Sequence, residues 1–375
     1  MKKIIITGVT GQDGSLMADY LLANTDIGII AGVRRLSVEN HKNIKHLKNN
    51  PRFKLIDLDI TDAQNVEEVI RTEQPDYFIN FAANSFVGNS WTMPVNHMNT
   101  NCMAVLYQLE AIRKFAPNCR YYNAGSSEEF GDVSYVPQDE VHPLRPRSPY
   151  GASKASARHL VKVYRESYNL YAIQGWLFNH EGTRRGEEFV TRKITKNVAR
   201  IKKSIENGEA FEPLELGNLE AKRDWSDAED FVEGIWLMLN QEKHNKNFPI
   251  IIANLTEEQE TIHNYSKNIK EYVLSSNETH TIKEFVELAF EAAGIEGIWV
   301  GTKLDEMYQL PNYLSSFAEF AKHQLVKINP KFYRPAEVEL LWGDSTKARQ
   351  ELNWSPKTDF KGLVKKMIDN DINIV

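Results

Sequence analysis

Lys3-Ile4-Ile5-Ile6-Thr7-Gly8-Val9-Thr10-Gly11-Gln12-Asp13-Gly14 is the stretch whose reading decides the fold. A short β-branched run of this kind is a buried strand. The glycines that follow allow a tight turn and a close approach of backbone to an anion. Just beyond them, residues 15–23 place Leu16/Tyr20 and Met17/Leu21 at i,i+4, the spacing of a helix. A strand, a glycine turn and a helix in that order present free N–H groups and a positive dipole end to a pyrophosphate. Gly8, Thr10, Gly11, Gln12, Asp13 and Gly14 are therefore read as dinucleotide-binding positions. The bland alternative is an ordinary glycine-rich loop, and the flanking elements weigh against it.

Working outward, β-branched runs at 27–33, 53–57, 77–82, 120–124 and 172–178 follow the first strand at 3–7. Helical segments lie between them, among them 101–115 and 149–168. This alternation predicts an α/β protein with a Rossmann-type doubly wound parallel sheet over residues 1–180. After residue 180 the pattern changes. Helices are expected at 189–207, 227–239 and 281–293, the first with Ile194, Val198, Ile201 and Ile205 on one face. A smaller C-terminal lobe over 181–375, mainly substrate-binding and partly interleaved with the first domain, is the simplest architecture. The polar stretch 243–270 reads as an excursion from the core, and 310–324 as a second one.

The formal net charge of −6 argues against nucleic acid or an anionic membrane as the main partner. The two cysteines, Cys102 and Cys119, are too few for a disulfide framework and lack metal-ligand spacing, so buried inert thiols and no metal are expected. The apolar run near the N-terminus is too short for a secretion signal, which makes a reducing, cytoplasmic setting the expectation.

Two further constellations carry chemistry. The second strand ends in Gly32-Val33-Arg34-Arg35, where a carboxylate would bind a ribose 2′-OH. Two guanidiniums suit a 2′-phosphate instead, so NADP is the expected cofactor. Asp59, two residues past the third strand, is placed either to reach the adenine amino group or to cap a helix. Tyr150 is the one tyrosine followed by a lysine four residues on, Lys154, and on a helix the two share a face. An ammonium beside the phenol eases its ionisation and makes it a base for a hydroxyl. Ser126-Ser127-Glu128 closes a strand at the ligand-binding edge. Ser126 can bond a reacting hydroxyl, and Glu128 is a second acid/base, which elimination of water needs and simple dehydrogenation does not. The alternative for Glu128 is a surface carboxylate in an acidic turn with Glu129 and Asp132.

These motifs, together with Pro146–Ala152, Leu177-Phe178-Asn179-His180-Glu181, Arg184-Arg185-Gly186, 189–194, 216–225 and 332–338, resemble the GDP-mannose 4,6-dehydratases over nearly the whole chain. The resemblance implies an NADP-dependent nucleotide-sugar 4,6-dehydratase of the extended short-chain dehydrogenase/reductase type. It implies catalytic roles for Ser126, Glu128, Tyr150 and Lys154. It adds Ala82, His180 and Arg185 to the cofactor contacts, and Ser85, Asn179, Val190, Lys193, Gly217, Arg223, Arg334 and Glu337 as holders of a GDP-sugar. A homodimer or homotetramer is the expected assembly.

The chain departs from the family pattern at Leu36-Ser37-Val38-Glu39-Asn40, at Asn84–Trp91 near the sugar, and in the 243–270 excursion. The last two departures keep a GDP-heptose open beside GDP-mannose. An epimerase or ketoreductase, neither needing Glu128, also fits the general motifs, while the intact Ser126, Glu128, Tyr150 and Lys154 speak against a regulator with a silent site.

Overall fold

The computed structural model describes residues 1–244, 268–311, 324–333 and 340–375. Strands β1 (Lys3–Thr7), β2 (Gly28–Val33), β3 (Phe53–Asp57), β4 (Tyr77–Asn80), β5 (Arg120–Ala124) and β6 (Ala172–Leu177) form a parallel sheet, joined at the edge beside β6 by Val273–Leu274. Its order is Val273–Leu274, β6, β5, β4, β1, β2, β3. The chain therefore winds away from β1 in both directions, and the crevice between β1 and β4 opens at the strands' carboxyl ends.

The helices explain why the middle of β1, Ile4–Ile6, is apolar rather than alternating. α1 (Gln12–Asn24) covers one face of the sheet; α2 (Ala63–Glu73), α3 (Pro94–Met98), α4 (Ala104–Phe115) and α5 (Pro149–Tyr168) lie on the other. Ile4 and Ile6 pack with Met17 and Leu21, while Ile5 packs with Val66, Leu109 and Val161. A strand buried on both faces has no solvent side to make polar.

Past β6 the chain forms β7 (Asn179–Glu181), α6 (Val190–Asn207), β8 (Leu214–Leu216), β9 (Lys222–Arg223), β10 (Trp225–Asp227) and α7 (Ala228–Leu239). A second core joins Ile194, Val198 and Ile201 of α6 to Phe285, Leu363 and Met367. α7 returns to pack on α1, so this part of the chain reaches back to the sheet, as the edge strand Val273–Leu274 also does.

The differences from the sequence reading lie at element ends. β2 begins at Gly28, β4 stops at Asn80 and β6 at Leu177. Helix 101–115 is preceded by α3 and a π-helical turn at Asn99–Met103. Most of the 243–270 and 310–324 excursions lie outside the described residues, as do Arg334 and Glu337. Cys102 and Cys119 are buried and unbridged, and burial pushes both thiols up. No helix among the described residues is long and apolar enough to cross a membrane.

Candidate active site

The glycine turn is built by close contact. Gly8 has φ +68°, and a Cβ there would sit 2.6 Å from the Ala82 nitrogen; at Gly14 it would sit 2.5 Å from the Gly8 carbonyl oxygen. Neither position admits a side chain. Gly11 is the N-cap of α1 and supplies no side-chain cap, so the first N–H groups of the helix are left for a ligand. Asn43 Nδ2 donates to the Thr10 carbonyl (2.9 Å), and the Ala82 N–H to Thr7 Oγ1 (3.3 Å), tying the turn to its neighbours.

Two residues expected to touch the cofactor meet each other. His180 Nε2 lies 3.1 Å from Asp13 Oδ2, and its Nδ1 lies 2.7 Å from the Phe178 carbonyl oxygen. Both partners only accept, so both ring nitrogens donate and the imidazole is a cation. Burial works against the two charges, but their pairing wins: the His180 pKa is raised, and the Asp13 carboxyl is pulled down to about 2. Gln12 Nε2 donates to Asp13 Oδ1 (3.0 Å) and to the His180 carbonyl (3.1 Å), completing a clamp between α1 and β7.

The residues expected to act as acid and base follow β5. β5 ends at Ala124, so Ser126-Ser127-Glu128 does not close the strand. Ser126 caps a 3₁₀ turn at Ser127–Glu129: its Oγ accepts from the Glu128 N–H (3.2 Å), and Glu129 Oε1 accepts from the Ser126 N–H (2.8 Å). Serine at the cap and glutamate at the third position form a capping box, which accounts for the local fold. Glu129 is thus a wholly buried structural acid rather than the surface neighbour the sequence reading made it. Tyr150 enters on the first turn of α5, behind the capping Ser148 and Pro149. A Cβ on Gly151 would lie 2.5 Å from the Glu128 carbonyl oxygen, so the turn and the helix touch backbone to backbone.

Tyr150 is buried and hydrogen-bonded to Ser126. Burial pushes its phenol up to about 12; the Ser126 bond and Arg185 pull the other way, and Glu128 and Glu129 reinforce the rise. Lys154 Nζ donates to the Ala124 carbonyl (2.8 Å) and stands 6.0 Å from the Tyr150 ring centre. Burial holds its ammonium down to about 8, against the opposing pull of Glu129 and Asp13.

A cleft of about 820 Å³ runs between this wall and residues beyond β6. Asp13, Ser126, Glu128, Tyr150, Lys154, His180 and Arg185 line it from one side; Asn179, Val190, Lys193, Gly217 and Arg223 face them, and Ser85 stands at the edge. Lys193 Nζ lies 3.6 Å from the Phe332 ring centre, and the Arg185 guanidinium 3.6 Å from that of Phe189. Phe86 meets Phe189 edge-on, with ring centres 6.0 Å apart. Arg185 Nε and Glu181 Oε2 form an ion pair at 2.9 Å whose angle is not that of a hydrogen bond. Arg223 is buried, with one nitrogen donating to the Lys222 carbonyl (2.8 Å).

Nine expected cofactor positions lie outside the cleft lining: Gly8, Thr10, Gly11, Gln12 and Gly14 of the glycine turn, with Ala82, Arg34, Arg35 and Asp59. Arg34 and Arg35 are exposed just past β2. Asp59 accepts from the Thr61 N–H (2.9 Å) and hydroxyl (2.7 Å), while Asp62 caps α2; the helix-capping alternative for Asp59 is corrected accordingly.

Sequence reasoning missed His97. Its ring is buried edge-on against Tyr150, 6.1 Å between centres, and its Nδ1 has no partner among the described residues. A lone histidine in a polar stretch carries no signal of that placement.

A doubly wound sheet, a glycine turn and a Ser/Tyr/Lys set with an added glutamate define an extended short-chain dehydrogenase/reductase. The profile of one family in that class, GDP-mannose 4,6 dehydratase, matches residues 5–265 and 259–367, and the chain belongs to that family. It is 39% identical over 382 residues to the GDP-mannose 4,6 dehydratase of Drosophila melanogaster, spanning 100% of this chain and 87% of that one. Among solved structures, the dTDP-glucose 4,6-dehydratase of Bacillus anthracis in complex with NAD superposes with a TM-score of 0.71 at 19% identity, covering 98% and 96% of the two chains. The UDP-glucuronic acid 4-epimerase of Bacillus cereus reaches 0.75 at 19% identity, with full coverage of both. A dehydratase and an epimerase share this fold, so the reaction must be argued from the site.

Proposed function

We propose that this chain dehydrates a GDP-sugar, GDP-mannose first, to the 4-keto-6-deoxy sugar with NADP as a recycled cofactor. The observation that carries the reading is Glu128 beside Tyr150 on one cleft wall, in a turn that touches the helix bearing Tyr150 and Lys154. Tyr150 takes the proton of the sugar O4, with Ser126 bonded to the same phenol. Oxidation at C4 acidifies C5–H; Glu128 takes that proton and passes it to the departing C6 hydroxyl, which leaves as water. NADP, held at the glycine turn, would supply the hydride acceptor for C4 and the donor for C6, and the proton that Tyr150 takes from O4 balances the one C5 regains, so the cycle is redox-neutral. The glycine cradle, which any Cβ would fill, suits its pyrophosphate, and Arg34 and Arg35 suit its 2′-phosphate. On this reading residues 1–180 hold the dinucleotide and 181–375 mainly the GDP-sugar. Asn179, Val190, Lys193, Gly217 and Arg223 supply the contacts, joined by Arg334 and Glu337. The assembly would be a homodimer or homotetramer, and the setting the cytoplasm, where phosphorylated cofactor and substrate are both available.

Glu128→Gln tests the reading. It keeps shape but cannot accept the C5 proton, so water loss from GDP-mannose, followed by mass, should fall at least ~10²-fold while C4 oxidation suffers less. Tyr150→Phe should stop both. Normal turnover by Glu128→Gln would sink the dehydratase assignment.

A further inference from the structure

A buried row of polar side chains crosses the sheet beneath the cleft, apart from the groups that act on the sugar. Thr7 Oγ1 donates to Asn80 Oδ1 (2.6 Å), Asn80 Nδ2 to Asn123 Oδ1 (2.7 Å), and Asn123 Nδ2 to Gln174 Oε1 (2.7 Å). Gln174 Nε2 then divides between Glu129 Oε1 (2.9 Å) and the Lys154 carbonyl (3.0 Å). The members stand on β1, β4, β5 and β6 in turn, and none is more than 2% exposed. Every amide in the row donates in one direction, toward Glu129.

Glu129 ends the row and also anchors it. Its Oε1 closes the capping box on the Ser126 N–H, and its Oε2 pairs with Arg158 Nε at 2.5 Å. Arg158 reaches Glu271 (3.0 Å) and lies 3.5 Å from the Trp176 ring centre; Glu271 in turn accepts from Arg165 (2.9 Å). Buried charges are costly unless fully paired, and apolar side chains could fill this space more cheaply. What the charged arrangement secures, and an apolar one would not, is direction: one carboxylate fixes the Ser126 backbone, and the amide bonded to it fixes that of Lys154.

We propose that Glu129 is a positioning residue for the reaction. Through the Ser126 N–H it holds the turn that carries Glu128, and through Gln174 it holds that turn in register with the helix carrying Tyr150 and Lys154. The inference rests on the dehydratase roles of Glu128 and Tyr150. Glu128 and Tyr150 act at different carbons of one bound sugar, so a change in their spacing costs rate more than binding. The charge of Glu129 also reaches both members of the Tyr150/Lys154 pair. Tyr150 faces Glu128, Glu129 and Arg185, and Lys154 faces Glu129 and Asp13, with His97 beside them.

The test uses the full-length protein with NADP and GDP-mannose, and reads kcat, KM, melting temperature and the pH profile. Glu129→Leu should lower kcat roughly 10- to 100-fold with KM within about threefold. Glu129→Gln keeps the acceptor for the Ser126 N–H and should restore kcat to within about fivefold of the parent. Removing the charge should also move the alkaline limb of its profile to lower pH, since Glu129 raises both Tyr150 and Lys154. If Glu129→Leu fails to fold, the pair Glu129→Leu with Arg158→Met removes both charges and should show the same kcat loss. Parental kcat in a folded leucine variant would overturn the proposal. So would a kcat that falls only with the folded fraction while the glutamine variant's pH limb stays put. Glu128→Gln run in parallel keeps the two ideas apart, because normal turnover there removes the acid/base reading whatever Glu129 does.

Discussion

Two walls face each other across the cleft, and they are held by different forces. On the sheet side, Ser126, Tyr150 and Lys154 are fixed by hydrogen bonds to backbone and by a buried carboxylate, and Tyr150 and Lys154 are each less than one-tenth exposed. On the far side, Lys193 rests on the Phe332 ring, and Gly217 lies against the Phe332 backbone. A cation over a ring face leaves its N–H donors free, so the contact can be exchanged for a phosphate without breaking a hydrogen-bond network. On the proposed function this difference divides the labour, with rate expected from the sheet wall and affinity from the far wall. Changes on the first should appear in kcat, and changes on the second in KM.

The largest effect expected beyond the acid/base residues lies at the arginine tip after β2, outside both walls. Arg34→Ala with Arg35→Ala should weaken NADP⁺ by up to ~10²-fold, the value of charge-assisted bonds to a 2′-phosphate, and leave NAD⁺ nearly unchanged. Titration of each cofactor checks it, and equal losses for the two would refute the NADP assignment.

The sheet wall makes the next prediction. Because burial holds Lys154 down to about 8, its ammonium is present below that pH and lost above it. The phenolate share of Tyr150, whose pKa is pushed up to about 12, grows about tenfold per unit over this range, so kcat/KM should climb up to pH 8 and level off above it, where loss of the Lys154 charge offsets the gain. In Lys154→Arg the cation cannot be lost, so whatever activity survives should keep climbing past pH 8. A levelling-off unchanged in that variant would assign it to another group.

How much of this was legible in the sequence follows the same divide. The sheet was readable because a strand buried on both faces must be apolar along its length and β-branched, as Ile4-Ile5-Ile6 is. The glycine turn was readable because Gly14 answers to the Gly8 and Val9 backbone a few residues away and Gly8 to its own positive φ, although Gly8 also packs on the distant Phe81 and Ala82. Glu129 was misread because its partners, Arg158, Gln174 and through them Glu271, are 29 or more residues distant, and nothing local marks an acid as buried. The Asp13–His180 pair was hidden for the same reason, its members lying 167 positions apart. Composition and spacing report on neighbours along the chain, while the polar supports beneath the chemistry are long-range.

On the far wall the expected effect is smaller. Lys193→Met keeps a chain long enough to cover Phe332 but removes the charge, so KM for the GDP-sugar should rise about five- to tenfold with kcat within about twofold. A loss confined to kcat would move Lys193 out of the affinity wall and break the comparison.

The sugar itself gives the smallest effect and the sharpest use of the two walls. Ser85 and Trp91 are exposed at the cleft edge, and Phe86, Val87 and Gly88 line it between them. A heptose adds a CH(OH) unit beyond C5, which needs volume and a partner for one more hydroxyl. Left unpaired and buried, that hydroxyl would cost roughly 1–3 kcal/mol; at an edge open to water it costs much less. Trp91 is 43% exposed, so its ring leaves part of this rim to solvent and discrimination here should be weak. GDP-mannose should therefore be preferred over a GDP-heptose by only a few-fold in kcat/KM, within the roughly tenfold set by one small group in a pocket. Trp91→Ala should narrow the ratio by raising heptose turnover, with the mannose kcat unchanged, because the ring shapes the rim rather than the spacing of Glu128 and Tyr150. Side-by-side kcat/KM values decide it. A heptose preference above about tenfold, roughly 1.4 kcal/mol, would reassign the substrate and leave the fold and the acid/base wall as they stand.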